Sequence, residues 1–267
     1  MNPLQFLDSL PIFHHVVRWL RLREVAAWLL GKFPRQRTLP GSGARYRVRY
    51  LETMLLSEEI FRRNVYLKAI DPAKVTTFAD LGSNVGLFSV LLVHLTKRRD
   101  LRGLMVDANP AMVEETRWNL TANQLAQVHS IHGLVGSERG QDQAEFYILP
   151  SNLGSSQFPI YEPGKPPKGD WQKTAVPCLN LEATWKKHFG DTRCHVIKID
   201  IEGSEKTLFH TDREFFRRVD TIILEWHKWI VPREDLDVTL QEQGFRLVEI
   251  LEDLETSGIA WYARQAA

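Results

Sequence analysis

The sequence predicts an α/β fold with a mainly parallel sheet that helices cover on both faces. From Thr76 onward, short apolar segments typical of strands alternate with segments of helical periodicity, as in doubly wound proteins. The last two apolar segments, "FRLVEIL" and "GIAWYAR", are separated by an acidic turn and predict a terminal antiparallel hairpin. A chain of 267 residues with 43% hydrophobic residues suits one large domain with a modest extension.

Residues 1–43 are predicted to form a helical N-terminal extension, followed by the main domain at 44–267. Apolar residues recur at near-helical spacing over 4–33, and Pro11 is expected to divide this stretch into two helices. The segment "FPRQRTLPGSG" reads as a linker. Residues 1–49 hold nine Lys/Arg against two acidic residues. Peripheral membrane contact through residues 1–40 is therefore one hypothesis, and a solvated helix face is the favoured alternative.

The remaining elements follow in chain order. "ARYRVRYL" predicts a short strand and "SEEIFRRNVYLKAI" a helix capped by Ser57. "TTFADL", "LRGLMVDA", "VHSIHGLVG", "QAEFYIL", "TAVPCL", "HVIKIDI" and "VDTIILEW" predict strands. Helices are predicted for "VGLFSVLLVHLTKR", "PAMVEETRWNLTAN", 180–189, a short segment from Ser204, and 232–243. Residues 150–173 form a long Pro/Gly-rich loop, which is often functional in a compact domain.

The turn "FADLGSNVGLFS" follows the first strand of this alternating region. Gly82 and Gly86 bracket a tight turn into a helix, where a ligand can approach the backbone and unpaired N–H groups. Asn84 and Leu87 stand where the dinucleotide fingerprint needs glycine, so a nicotinamide or flavin cofactor is disfavoured. Asp107 ends the second strand, where an acid can accept both ribose hydroxyls. Together these features predict an adenosine-containing ligand.

The stretch "VIKIDIEGSE" places Asp200, Glu202 and Glu205 together at the end of a buried strand. Like charges this close repel, so a cation is expected nearby. The sulfonium and ammonium of S-adenosylmethionine would satisfy them, and so would Mg²⁺. The alternative is that Asp200 pairs with Lys198 and that Glu205 is a first-turn helix charge.

Composition excludes several classes of protein. Cys178 and Cys194 show no CxxC or His pattern, so we predict neither a disulfide framework nor a zinc site. A net charge of +1 gives no signal for a specific nucleic-acid partner. The sequence contains neither a secretory signal nor an apolar stretch of membrane-spanning length, so a cytoplasmic location is expected.

Over roughly residues 45–263 the sequence resembles FkbM-type methyltransferases. The segments that carry the resemblance are "FADLGSNVGLFSVLL", "VDANPAMVEETRWNLTAN", "NLGSSQF", "CLNLEATW", "VIKIDIEGSEKTLF" and "IILEWH". The resemblance implies a class I, Rossmann-like fold with a mostly parallel seven-stranded sheet. It also implies methyl transfer from S-adenosylmethionine, usually to a hydroxyl of a sugar or a natural-product precursor.

The resemblance further implies roles for individual residues. The cofactor-binding positions are Asp80, Gly82, Ser83, Asn84, Gly86, Asp107 and Asp200. The family more often has Glu-Pro where this chain has Asp107-Ala108. Ser155 and Ser156 match a serine pair near the acceptor, and Lys198, Asp200, Glu202, Gly203 and Glu205 match the signature after the fourth strand.

The chemistry needs a base for the acceptor hydroxyl. Asp200 and His227 are the candidates, since each follows a strand at the expected site. Glu202 and Glu205 are assigned to acceptor positioning or to a cation, and Trp226 to stacking on a sugar ring.

The predicted function is O-methylation of a small-molecule, glycan or lipid-linked acceptor. An N-methyltransferase acting on a peptide or another amine, and a non-catalytic binding module that retains the fold, are the alternatives. The acceptor, any metal requirement and the oligomeric state stay open.

Overall fold

The computed structural model describes residues 22–138, 140–149, 155–157 and 172–265. Helix α1 (Leu22–Lys32) leads into a small antiparallel hairpin of β1 (Arg35–Thr38) and β2 (Arg45–Val48). The predicted linker therefore contains a strand, and the predicted domain boundary at residues 43 and 44 falls within this hairpin. The expected helices before Leu22, with the break at Pro11, lie outside the described residues.

The helix expected to begin at Ser57 begins earlier. Helix α2 (Leu51–Ser57) continues into a π-helix (Glu58–Arg63) that ends at Asn64, whose φ is 55°. Ser57 lies inside this continuous stretch, and its hydroxyl donates to the carbonyl of Met54 at 2.9 Å rather than capping a helix. A short 3₁₀ turn (Leu67–Ala69) then leads to the main sheet.

The main sheet has seven strands in the order β10-β11-β9-β8-β3-β4-β5. The strands are β3 (Thr77–Leu81), β4 (Arg102–Asp107), β5 (Val128–His132), β8 (Cys194–Ile199), β9 (Val219–His227), β10 (Phe245–Asp253) and β11 (Ser257–Arg264). Pairs from β5 through β9 are parallel, whereas β11 runs antiparallel to both β9 and β10. The predicted α/β class, with its terminal hairpin, is confirmed.

Helices cover the sheet on both faces. One core contains side chains of α3 (Leu87–Thr96) and α4 (Pro110–Ala122) together with β2. The other contains side chains of α5 (Leu181–Phe189), α6 (Glu205–Thr211), α7 (Arg213–Phe216) and α8 (Arg233–Glu242). Successive residues of β3 enter opposite cores, Phe78 the first and Ala79 the second, as the alternation of a pleated strand requires.

The chain order reverses at β3, which lies between β8 and β4. In open α/β sheets this reversal leaves a crevice beyond the carboxyl ends of the strands, where ligands bind. A separate hairpin of β6 (Gln143–Ile148) and β7 (Gln172–Pro177) stands apart from the main sheet. Of the long loop predicted between these strands, the structure describes only 155–157 in the interval 150–171.

In the part of the chain that the structure describes, no helix has the length and apolar character needed to cross a bilayer. The exposed aromatic side chains of α1 and its C-terminal end are Trp28 and Phe33, 60% and 61% exposed. Membrane contact through residues 1–40 and the cytoplasmic location stay predictions.

Two buried amides, Asn119 of α4 and Asn123 at its C-terminal end, tie the β1–β2 hairpin to the domain, and Asn119 also reaches the turn after β3. The side chain of Asn119 accepts from the backbone N–H of Arg47 at 2.9 Å and donates to the carbonyl of Val85 at 2.7 Å. It thereby links β2 to the turn that follows β3.

We expect Asn119→Ala to lower the free energy of unfolding by about 2 kcal/mol or more, because it leaves two main-chain groups without partners. Thr121→Ala, at an exposed position of the same helix, is the matched control and should change stability by less than about 0.5 kcal/mol. Urea denaturation measures both. An Asn119→Ala protein as stable as the control would show that the link is dispensable.

Candidate functional site

The turn between β3 and α3 is shaped by glycines. Gly82 has φ +74° and Gly86, the residue before α3, has φ +80°. A Cβ at Gly82 would lie 1.7 Å from the carbonyl oxygen of Asp200, and one at Gly86 would lie 2.9 Å from the side chain of Thr116. Glycine is therefore required here for close approach to protein atoms, a reason different from the ligand approach that the sequence indicated.

Asp107 lies against this turn. Its carboxylate accepts from the backbone N–H of Asn84 at 2.7 Å and from that of Asn109 at 2.8 Å. Burial raises the pKa of Asp107 to about 6, although both hydrogen bonds act to lower it. The strand-end acid thus fixes the turn and also lines the cavity beside it.

Asp80 is a buried carboxylate without a hydrogen-bond partner. It is 0% exposed, and neither oxygen accepts a hydrogen bond from any residue that the structure describes. The nearest cation is Lys198, whose Nζ lies 3.8 Å from Oδ1. Burial raises the pKa of Asp80 to about 7. Because a buried orphan acceptor is costly, Asp80 indicates a missing donor in the cavity that it lines.

Lys198 lies at the centre of the strand ends. Its Nζ is 3.1 Å from Asp200 Oδ2 and donates to the carbonyl of Gly82 at 3.5 Å. Burial acts to lower the pKa of Lys198, but the nearby acids raise it well above the usual range, so the side chain stays charged. The pairing of Asp200 with Lys198, weighed from sequence as the alternative to an external cation, is what the structure contains.

The other two signature acids contact His227. Its Nε2 lies 3.1 Å from Glu202 and its Nδ1 3.3 Å from Glu205. Burial acts to lower the pKa of His227, but hydrogen bonds with both carboxylates prevail and raise it to about 12. Both ring nitrogens are engaged, so in this state His227 is a cation. This arrangement argues against the prediction that His227 is the general base.

The serine pair of the long loop is divided between two roles. Ser155 lines the cavity, and its hydroxyl accepts from the backbone N–H of Leu149 at 3.0 Å. Ser156 is 0% exposed, and its hydroxyl donates to the carbonyl of Glu202 at 2.7 Å. The position of Ser155 suits the predicted contact with the acceptor. Ser156 instead stabilises the signature loop, residues 200–205, through its hydrogen bond with Glu202.

Trp226 does not offer a stacking surface. It is 3% exposed, and its ring packs so closely on Gly258 that a Cβ there would lie 2.1 Å from it. Side chains alternate along β9, so Glu225 lines the cavity while Trp226 enters the core below it. The prediction that Trp226 stacks on a sugar is therefore wrong, because the strand turns this ring into the interior.

Part of this set lines one cavity of about 280 Å³, namely Asp80, Gly82, Asp107, Ser155, Lys198, Asp200 and Glu202, whereas His227, Glu205, Ser156 and Trp226 lie outside its lining. The sequence did not point to Glu59, Tyr66 and Glu225 as site residues, yet all three line it. Burial and the charge of Asp200 raise the pKa of Glu225 to about 8, and the same two causes raise that of Glu59. Lys198 is the one Lys or Arg among the described lining residues, against six carboxylates, which are Glu59, Asp80, Asp107, Asp200, Glu202 and Glu225.

Comparison with known proteins identifies a family. A model of the methyltransferase FkbM domain matches residues 80–247, more than half of the chain. No curated protein matches this sequence.

Solved structures also resemble the chain. M. capricolum TrmK, solved with S-adenosyl-homocysteine, is 12% identical over 76% of this chain and 68% of its own, with a TM-score of 0.47. M. jannaschii TYW2, solved with AdoMet, is 11% identical over 87% of each chain, with a TM-score of 0.45. The mitomycin 7-O-methyltransferase MmcR is 12% identical over 78% of this chain and 55% of its own, with a TM-score of 0.41.

Proposed function

The chain belongs to the FkbM family of S-adenosylmethionine-dependent methyltransferase domains, and from this premise we propose that it methylates a hydroxyl oxygen of a neutral, hydroxyl-rich acceptor. A sugar or a natural-product or lipid-linked precursor is such an acceptor. The observation that carries the proposal is the single cavity that joins the orphan carboxylate of Asp80 and the turn held by Asp107 to a wall of further carboxylates.

The residues present fit the methyl donor. Asp80 lacks a donor group, and the α-ammonium of S-adenosylmethionine would supply one. Asp107 uses one hydrogen bond on each oxygen for the turn, and each carboxylate oxygen has a further lone pair for a ribose hydroxyl. When bound, the donor supplies an electrophilic methyl group, and its transfer gives the methylated acceptor, S-adenosylhomocysteine and a proton.

The charge of the cavity favours a particular kind of acceptor. The described lining holds six acidic side chains against one lysine. The raised pKa values of Glu225, about 8, and Asp80, about 7, leave part of this set protonated at neutral pH, and the ionised carboxylates that are left disfavour phosphate and carboxylate groups. Carboxylates accept hydrogen bonds, so the wall suits an acceptor that presents several hydroxyl donors. This supports the expectation that nucleic acid is not a specific partner.

We further propose that Asp200 orients the acceptor hydroxyl and takes its proton. Asp200 follows β8, its side chain is 28% exposed, and it lines the cavity next to Gly82. Lys198 holds one of its oxygens, which leaves the other for the acceptor. Glu202 lines the same part of the cavity and would help to position the acceptor.

To test the activity, the protein is incubated with radiolabelled S-adenosylmethionine and matched acceptors that carry a neutral sugar, a sugar phosphate or a primary amine. We expect label on the hydroxyl of the neutral sugar, identified as a methyl ether by mass spectrometry. Label confined to the amine would overturn O-methylation in favour of the N-methyltransferase. Failure to bind S-adenosylhomocysteine would overturn methyl transfer altogether.

Asp107→Ala should weaken binding of S-adenosylhomocysteine by about tenfold or more, because the ribose and the turn lose a charged acceptor. Asp100 lies in the connection between α3 and β4, and its side chain is exposed. Asp100→Ala therefore serves as the control. Calorimetric titration gives both affinities. Equal affinity in the two variants would remove Asp107 from the ribose role.

Acid should also weaken this binding. The pKa values of Asp80 and Asp107 are raised to about 7 and about 6, and the ligand's ammonium and hydroxyls favour the ionised carboxylates. Affinity for S-adenosylhomocysteine should therefore be highest above a pH of about 7 and fall as the pH is lowered through about 7 and about 6. Asp80→Asn should flatten the upper part of the profile. A profile in the unsubstituted protein that stays flat through this pH range would contradict these assignments.

Asp200→Asn should lower kcat by about 100-fold or more while leaving the affinity for S-adenosylhomocysteine within about threefold. The amide keeps the shape of the carboxylate but neither takes a proton nor carries charge. Single-turnover assays with labelled donor measure the first quantity and calorimetry the second. Unchanged turnover would make Asp200 a structural partner of Lys198.

A further inference from the structure

Three of the side chains at the strand ends have the arrangement of a metal-binding site. Asp200, Glu202 and His227 each offer one ligand atom, and these atoms lie within 4.8 Å of one another. Metal–ligand bonds of about 2.0–2.2 Å place two ligands of one ion up to about 4.4 Å apart. A side-chain movement of less than an ångström would therefore bring all three atoms onto one ion.

Glu205 orients the histidine as a metal-binding histidine is usually oriented. Its carboxylate is 1% exposed, lies 3.3 Å from His227 Nδ1 and accepts from the backbone N–H of Gly203 at 3.1 Å. The other ring nitrogen, Nε2, consequently points to Glu202. Histidine ligands commonly donate their second N–H to a carboxylate, which fixes the ring and makes the ligating nitrogen more basic.

The backbone of Glu202 is held in an unusual conformation. Its φ is +52°, in the left-handed region, and the next residue, Gly203, has φ +102° with no room for a Cβ beside Ile230. The hydroxyl of Ser156 fixes the carbonyl of Glu202. Non-glycine residues keep such conformations where the surroundings over-determine them, often at functional sites. The direction of the Glu202 side chain is thus set by the fold.

A second observation concerns the cavity that Asp200 and Glu202 line. Asp80, which is fully buried, lines the same cavity as Asp200 and Glu202 with both oxygens unpartnered. The carbonyl of Asp200 closes against Gly82, and Asp200 and Glu202 line the cavity of the proposed donor, with His227 behind Glu202. A cation bound here would lie at the acceptor end of that space.

We propose that Asp200, Glu202 and His227 bind a divalent transition-metal ion, with Glu205 as the residue that orients His227. The mixed oxygen and imidazole set suits Mn²⁺, Fe²⁺ or Zn²⁺ better than Ca²⁺, which prefers oxygen ligands only. The role of the ion rests on the proposed function, whereas its binding does not. Nε2 lies 3.1 Å from Glu202, and binding of the ion would displace the Nε2 proton to water.

The ion would act on the acceptor hydroxyl. A coordinated hydroxyl is more acidic than a free one, so the ion makes the oxygen a better nucleophile at neutral pH. The O–H proton leaves to water, the oxygen forms the bond to the methyl carbon, and the carbon–sulfur bond electrons return to sulfur. In this proposal Asp200 acts through the ion, which replaces direct proton transfer to Asp200. Loss of Mn²⁺ binding in Asp200→Asn would support the ligand role, and unchanged Mn²⁺ binding would overturn it in favour of direct proton transfer.

The test measures binding of Mn²⁺ to the full chain. Bound Mn²⁺ is detected as a loss of the free-ion signal in electron paramagnetic resonance. We expect one ion per chain in the unsubstituted protein. Glu202→Gln should weaken Mn²⁺ binding by about 100-fold, and Glu205→Gln, which acts through His227, by about 10-fold. Glu242→Gln changes an exposed carboxyl at the end of α8, outside the cavity, and should bind Mn²⁺ as the unsubstituted protein does.

Affinity for S-adenosylhomocysteine, measured without metal, shows that each variant is folded and keeps this test separate from the test of methyl transfer. Absence of Mn²⁺ binding, or equal affinity in Glu202→Gln and Glu242→Gln, would overturn the metal site. His227 would then be only the structural cation that holds the signature loop. Intact donor binding with no Mn²⁺ binding would leave the proposed function standing.

Discussion

The meeting of two main chains, at Gly82 and at Asp200, is the constraint on which the site depends. The backbone N–H of Asp200 donates to the carbonyl of Leu81 at 2.9 Å, and no Cβ fits at Gly82. This approach continues the pairing of β3 with β8 to the last residue of each strand. It brings the glycine turn, which suits a nucleoside, within reach of the acidic loop, which suits the reacting end of the donor. Any side chain at Gly82 would separate the two halves of the cavity.

Charge balance explains why such an acidic edge is tolerated in a folded protein. Lys198 neutralises Asp200, and His227 neutralises the charge of Glu202 and Glu205 in part. The acids of the signature therefore need no external cation for stability, contrary to the first expectation from the sequence. Asp80, Glu59 and Glu225 are balanced less well, since burial raises the pKa of each despite the charge of Lys198. An uncompensated carboxylate costs folding free energy, and a cationic ligand recovers it on binding.

The sequence predicted the fold well because periodicity and glycine spacing are local signals. The alternation of strands and helices, the turn at Gly82 and Gly86 and the acid at Asp107 were all predicted from short stretches of sequence. The contacts that each side chain makes were not predictable in the same way. They depend on which face of a strand is turned towards the core. Trp226 and Glu225 are adjacent in sequence, yet one is in the core and the other in the cavity. The roles of Ser156 and His227 likewise depend on contacts between distant parts of the chain. Ser156 contacts Glu202, which is 46 positions away, and His227 contacts Glu205, which is 22 positions away.

The two halves of the cavity also differ in where they come from in the chain. The donor half, from Asp80 to Asp107, lies within the segment that matches the family, residues 80–247. Part of the opposite wall, Leu56, Glu59, Ile60 and Tyr66, precedes that segment. A π-helix carries Glu59, and π-turns often occur where a helix must aim a side chain at a functional site. The residues that match the family therefore form only part of this cavity, and the four residues that precede the match complete its described lining.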